Sequence, residues 1–339
     1  MGIKKILVTG SEGYIGAVLV PKLIRKGYEV VGIDTCYFGR FNKGVGFRLI
    51  KKDIRNITDD DLQNIDAVIH LAALSNDPVG ELNPNLTNEI NFKATIHLAR
   101  LAKKQEVKRF LFSSSCSIYG IAKKKIVDEQ SPTTSLTAYA KSKVQSENEL
   151  KKLADENFCI GLLRNSTVYG YSPSFRDDLV VNNLVCRTLL SGEIRIMSDG
   201  TPWRPLIDTR DLSDIFIEFL KVDADKINGK IINVGFKENN LQVKDLINEI
   251  QRLLPKSKVI YTGEHGRDSR SYRVDFTRFK KIFPRVNQHW SIHKSINDLI
   301  SQLKKNKFSK KTYSRISALK ILLQKNKLEI NLRWRSKKV

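Results

Sequence analysis

Lys5-Ile-Leu-Val-Thr-Gly10-Ser-Glu-Gly13-Tyr-Ile-Gly16 opens the chain and decides its fold. Ile6–Thr9 is a short, continuous apolar run, the pattern of a strand covered on both faces. Gly10, Gly13 and Gly16 follow as G-x-x-G-x-x-G, and Gly16–Lys26 has helical character closed by Gly27. Glycines between a strand and a helix permit a tight turn and let the backbone approach a pyrophosphate, which then rests on the helix N-terminus. Asp34 comes eighteen residues after Gly16, at the end of the next apolar run, Glu29–Ile33. A carboxylate there accepts hydrogen bonds from the adenine-ribose hydroxyls. It would repel a 2′-phosphate, so NAD is expected rather than NADP, with Arg40 nearby as the counterweight.

Outward from this segment, apolar runs alternate with helical patterns. Ala67–Leu71, Arg109–Ser113 and Cys159–Leu163 read as strands, and Leu86–Lys104 and Tyr139–Ala154 as helices. Such βαβ units predict a Rossmann-type, doubly wound parallel sheet of the α/β class. Beyond Gly170 the pattern loosens: Tyr171–Asp178 and Ser198–Pro205 read as loops, Ile231–Val234 as a returning strand and Val243–Leu254 as a helix. The expected organisation is an NAD-binding domain over 1–170 with a returning segment near 206–236. A smaller C-terminal α/β substrate lobe takes 171–205 and 237–300, and 301–339 forms a basic, partly helical tail.

At 339 residues, 41% hydrophobic and 28% charged, the composition is ordinary for a globular protein. No apolar run approaches the roughly 20 residues needed to span a bilayer. The first strand begins at once, leaving no room for a signal peptide. Cys36, Cys116, Cys159 and Cys186 show no metal-ligand spacing and read as reduced thiols of a cytoplasmic protein without a metal site. The net charge of +23 is concentrated: residues 301–339 hold thirteen Lys or Arg against one acid, Glu329. Such a field draws nucleic acid, anionic membranes or phosphorylated ligands, although a solvated basic tail is the simpler reading. Ile316, Leu319, Leu322 and Leu323 share one side there. Their narrow stripe predicts a docked helix rather than a membrane helix.

The chemistry lies in Ser113-Ser114-Ser115-Cys116-Ser117-Ile118-Tyr119-Gly120 and Tyr139-Ala-Lys-Ser-Lys143. Four residues apart on a helix, Tyr139 and Lys143 share a face. An ammonium that close stabilises a phenolate, so a tyrosine with an ordinary pKa of about 10 can work as a base near neutrality. A base beside a hydride acceptor is the equipment for oxidising an alcohol.

With these residues in place, the chain resembles the NAD-dependent epimerase/dehydratase family, the extended short-chain dehydrogenase/reductases that modify nucleotide-sugars. The glycine pattern, Asp34, Asp53-Ile54, His70-Leu-Ala-Ala73, Asn91, the serine run and Tyr-x-x-x-Lys occur in family order over roughly residues 3–300. The resemblance implies Tyr139 as general acid/base, Lys143 as the group that lowers its pKa and holds the nicotinamide ribose, and Ser115 as the partner of the reacting sugar oxygen. It also implies a cofactor site of Gly10, Gly13, Tyr14, Ile15, Gly16, Asp34, Asp53, Ile54, Leu71, Ala72, Ala73 and Ser113 with Tyr139 and Lys143. Asp53 and Ile54 would flank the adenine, and Asn91, also in the cofactor set, would support the active-site backbone. His70 reads as a core residue.

The likeness also narrows the reaction. Family 4,6-dehydratases carry Asp-Glu after the catalytic Ser or Thr, where this chain has Cys116-Ser117. Family 3,5-epimerase/reductases use a cysteine and a histidine, but the cysteine position is Ser117 and no histidine lies between His97 and His265. Cys116 is read as core. What remains is oxidation and re-reduction at one carbon, most simply a 4-epimerase supplying surface polysaccharide precursors. A nucleotide-sugar dehydrogenase or 4-ketoreductase using NAD(P) is the alternative, and an RNA-binding protein on the same fold a remote third that the intact Tyr, Lys and Ser argue against. At the sugar-nucleotide end the resemblance points to Ser75, Ser115, Thr167, Asn183, Arg204 and a second arginine. His265 occupies the aligned position, leaving Arg267 or, preferably, Arg270. Arginine suits a diphosphate because its planar fork donates two parallel bonds. A homodimer through Leu86–Lys104 and Tyr139–Ala154 is expected, with no membrane span and no nucleic-acid partner.

Overall fold

A computed structural model describes residues 2–75, 83–262, 270–306 and 315–335. Its large sheet contains β1 (Lys5–Thr9), β2 (Glu29–Asp34), β3 (Arg48–Lys51), β4 (Ala67–His70), β5 (Arg109–Ser115), β7 (Cys159–Asn165) and β11 (Lys230–Val234). Smaller sheets use β6 (Ile121–Val127), β8 (Thr167–Tyr169), β9 (Glu193–Ile196), β10 (Trp203–Asp208), β12 (Asn240–Gln242), β13 (Lys258–Tyr261) and β14 (Ser271–Val274). The large sheet runs β11-β7-β5-β4-β1-β2-β3, every pair parallel. The order reverses at β1, so a crevice opens beyond the carboxyl ends of β1 and β4, the usual ligand position in such sheets.

The apolar runs explain the sheet. Ile6, Leu7, Val8, Val68, Ile69, Phe110, Leu111 and Phe112 are fully buried, as strands sandwiched between helices require. One core cluster joins β1, β4 and the helix Gly16–Arg25 to the helix Thr209–Lys221. Another lies on the opposite side, under the helices Ala94–Lys104 and Ala138–Leu153. A third gathers Tyr169, Phe175, Val181, Leu206, Leu246 and Ile296 around the helix Val180–Ser191. Among the described residues no helix is long and apolar enough to cross a membrane.

Several elements differ from the pattern read in the sequence. The expected helix Leu86–Lys104 starts at Pro84, passes through a π-helical turn at Glu89–Lys93 and resumes at Ala94. The extra residue per turn shifts the helix face, which a 3.6-residue period cannot reveal. Trp203, Arg204 and Pro205, read as loop, form strand with Gln242, Leu241 and Asn240. Edge strand β3 escaped notice because it is four residues long and only partly buried. The tail helix, in contrast, is docked: Leu319 is buried in a core cluster, with Leu322 and Leu323 packed against it.

A buried polar network ties the helix Ala138–Leu153 to the sheet. Glu147 takes Arg164 Nε and Nη2 at 3.0 and 2.8 Å and accepts from Ser114 Oγ at 2.5 Å. Arg164 also donates to Tyr119 Oη, which donates to Asn233 Oδ1. The side chains of Arg164 and Glu147 are 5% and 1% exposed, so solvent cannot replace either partner. Removing one member of a buried pair strands the other charge. Glu147→Ala should therefore lower stability by about 3–5 kcal/mol, read by urea unfolding; a loss below about 1 kcal/mol would mean that the pair is hydrated.

Candidate active site

The glycine loop is shaped by close packing. Gly10 has φ +73°, and a Cβ there would come within 2.9 Å of Ala72 N. At Gly16 a Cβ would meet Gly10 O at 2.2 Å. The helix that follows carries no acidic residue in its first turn, leaving its positive end open to an anion. Tyr14 is not free to contact a cofactor through its hydroxyl, which donates to Gly170 O at 2.6 Å and accepts from Asn182 Nδ2. Ile15 stands at the N-cap.

Asp34 ends β2 with its carboxylate aimed by two backbone donors, Cys36 N–H at 2.7 Å and Glu12 N–H at 3.0 Å. Burial pushes this carboxyl above its ordinary value, while the two N–H groups pull it back. Each oxygen retains a lone pair for a ribose hydroxyl. Asp53 is held by Arg55, with Nε and Nη2 at 3.0 and 2.6 Å, and Ile54 packs into the core. Leu71, Ala72 and Ala73 leave β4 beside Gly10. Asn91, on the π turn, clamps Leu74 by donating to its carbonyl at 3.1 Å and accepting its N–H at 2.8 Å. With 1% exposure and its amide so engaged, Asn91 supports the backbone rather than reaching a ligand. His70 is a core residue between Thr9 and Thr95 hydroxyls, its pKa pushed down to about 3 by burial.

At the other end of the crevice, Thr137 caps the helix that carries Tyr139 and Lys143. Lys143 is 2% exposed, donates to Ser113 O at 2.7 Å and lies 5.6 Å from the Tyr139 ring centre. Desolvation brings its ammonium down to about 7, against a smaller upward pull from Glu147. Ser115 ends β5, donates to Ser117 Oγ and accepts Ser117 N–H. Cys116 is fully buried against Arg164 O. Ser113 Oγ accepts from Asn165 Nδ2 at 2.9 Å, while Asn165 Oδ1 is buried with no partner among the described residues.

Two residues here had no sequence signal. Asn165 lies just past the run Cys159–Leu163 that reads as a strand, and Arg176 falls within a stretch read only as loop. Arg176 donates to Ser75 Oγ at 2.8 Å and Ser75 O at 3.1 Å, and pairs with Asp178. Burial opposes its charge, but Asp178 outweighs that and raises its pKa. Of the sugar-end candidates, Arg204 lies on β10 and donates to Arg270 O, so the two arginines are brought together. Thr167 lies on β8, and Asn183 donates to Asp177 O at 2.8 Å. Arg267 and His265 lie outside the described residues.

The dinucleotide group fits these residues: a glycine cradle, an open helix N-terminus, an aimed carboxylate and an orphaned buried acceptor lie along one sheet edge. A doubly wound sheet with a Tyr–Lys pair at the carboxyl end of β5 defines a nicotinamide-dependent enzyme of the short-chain dehydrogenase type. The chain belongs to the NAD dependent epimerase/dehydratase family, whose model matches residues 6–235, and its cofactor is NAD. It is 28% identical over 316 residues to a UDP-glucuronate 4-epimerase of Thermodesulfobacterium geofontis, covering 86% of this chain and 94% of that one. It is 25% identical over 328 residues to a UDP-glucose 4-epimerase of Lactobacillus helveticus, covering 88% and 95%. Among solved structures, UDP-glucuronic acid 4-epimerase from Bacillus cereus in complex with NAD is similar, with TM-score 0.78 and 26% identity over 92% of this chain and all of that one.

Lys143 makes stability depend on pH. Its folded value of about 7 lies below the ordinary 10.5, so the cost of burying the charge is complete below pH 7. Between 7 and 10.5 the unfolded chain binds the extra proton, and stability rises with pH. Without cofactor, Lys143→Met should therefore gain most over the wild type near pH 6, and the gain should shrink toward pH 10. Urea unfolding at several pH values measures it; a pH-independent difference would contradict a desolvated ammonium.

Proposed function

We propose that the protein is an NAD-dependent nucleotide-sugar 4-epimerase that oxidises one sugar carbon and reduces it again on the other face. The observation that carries this reading is a Tyr–Lys pair beside Ser115 with no further acid or base in the following residues, Cys116 and Ser117. The buried Cys116 thiol, raised by desolvation, and a seryl hydroxyl cannot drive elimination. Chemistry is thereby restricted to proton transfer through Tyr139. Bound nicotinamide supplies the two-electron acceptor and donor. Tyr139 takes the proton of the sugar hydroxyl and returns it, Lys143 favours the phenolate, and Ser115 holds the reacting oxygen. Arg204 and Arg270 take the diphosphate, with Ser75, Thr167 and Asn183 lining the sugar-nucleotide end.

On this reading residues 1–170 with a returning segment near 206–236 bind the cofactor, 171–205 and 237–300 form the substrate lobe, and the product serves surface polysaccharide synthesis. Four free cysteines support a reducing, cytoplasmic setting. A homodimer through the segment 84–104 and the helix Ala138–Leu153 follows from the family likeness.

A panel of nucleotide-sugars incubated with the enzyme, read by NMR, should yield one 4-epimer with no net NADH. Stoichiometric NADH formation would instead make it a dehydrogenase. Tyr139→Phe should lower turnover by about 10²–10⁴-fold while NAD affinity stays near wild type. Turnover at the wild-type level would refute the mechanism.

A further inference from the structure

Residues 332–334 of the basic tail lie against the segment that follows Asp34. Trp334 Nε1 donates to Thr35 O at 2.7 Å, and Tyr37 Oη donates to Leu332 O. Thr35 and Tyr37 bracket Cys36, whose N–H aims the Asp34 carboxylate. The Trp334 ring lies 5.7 Å from Tyr37 and beneath Lys51 Nζ at 3.9 Å, while Arg333 donates to Asn56 at 2.6 Å. Leu319, Leu328 and Leu332 are buried in the cluster that holds Ile54 and Ile90, with Ala72 at its edge. The tail thus grips the same short segments that carry the candidate adenosine contacts.

Arg315, at the start of the tail helix, reaches further along the crevice. Its guanidinium lies 3.9 Å from the Phe38 ring centre and donates to Ser174 Oγ and O at 2.8 and 3.0 Å. Phe38 follows Asp34 in the chain. Ser174 follows Ser172, which is hydrogen-bonded to the glycine loop at Tyr14 O. Arg315 therefore bridges two segments that flank that loop. Burial, then the neighbouring Arg176 cation, push its pKa down to about 10, although Asp178, Asp34 and Asp177 pull the other way.

Charge distinguishes a cover from a plug. A segment imitating the dinucleotide would have to be anionic, because the site presents a helix N-terminus. Residues 315–335 hold six basic side chains and one acidic. They complement a bound diphosphate, while Asp34 also draws Arg315 toward the same crevice.

We propose that residues 315–335 form a strap over the bound dinucleotide, with Arg315 pairing with its diphosphate. This rests on the NAD site described above. The strap opens for cofactor exchange and closes during turnover, which suits an enzyme whose cofactor is regenerated in each cycle.

The test compares the full chain with a chain ending at Asn306 and with Arg315→Gln. NAD, ADP-ribose and adenosine affinities are read by calorimetry, and release of a fluorescent NAD analogue by stopped flow. Truncation should speed release by roughly tenfold or more. Arg315→Gln should weaken NAD and ADP-ribose by about tenfold or more and leave adenosine unchanged, since only a charge-assisted contact to the diphosphate is lost. Should truncation unfold the protein, the point variant with an unchanged circular dichroism spectrum carries the test. Tighter NAD binding after truncation would make the tail a plug and overturn the proposal, as would unchanged affinities. A full chain that binds no NAD would overturn the dinucleotide site and the strap with it.

Discussion

Everything at the site depends on one topological constraint: parallel strands that end together on a single edge of the sheet. β1 is flanked by β2 on one side and β4 on the other, so three loops diverge from one crevice. Thr9 leads to the glycine turn, Asp34 to its loop and His70 to the segment beside Gly10. Because each strand runs in the same direction, residues distant in sequence are delivered to the same edge. No single residue there defines a site; their common edge does.

On that edge the protein keeps charges that water would otherwise solvate. Lys143 is buried and faces Ser113 O, and Arg176, its side chain 12% exposed, pairs with Asp178 beside Ser75. Desolvation dominates at Lys143 and lowers its pKa, whereas the carboxylate partner prevails at Arg176 and raises it. The two cations respond oppositely because Arg176 is ion-paired with Asp178, whereas Lys143 hydrogen-bonds a backbone carbonyl. The network from Ser114 through Glu147 and Arg164 to Tyr119 anchors the helix bearing Tyr139 and Lys143. Positioning and electrostatics are thus provided by the same layer of packing.

Local patterns carried much of this in advance. Continuous apolar runs marked β1, β2, β4, β5 and β7 because strands buried on both faces admit few polar residues. The glycines, Asp34 and the Tyr–Lys spacing were visible because each answers to a short-range rule. The π turn at Glu89–Lys93 was hidden, since one extra residue leaves the average helical period almost unchanged. Arg204 stands in a strand whose sequence reads as a loop, since Pro205 argues against a strand interior. Asn165 and Arg176 were missed because neither sits in a pattern; each matters through partners far away in sequence, Ser113 and Ser75.

By itself, then, the sequence determined the doubly wound sheet, the dinucleotide turn and the phenol–ammonium pair, since these follow from hydrophobic period and fixed local spacing. Tertiary structure alone decided which polar groups share the crevice, that Asn91 supports Leu74, and that Arg176 holds Ser75. It also decided where the basic tail lies, bringing Trp334 onto Thr35 across most of the chain. The physical reason is that desolvation and hydrogen-bond partnership depend on distances in space, which local sequence patterns do not encode.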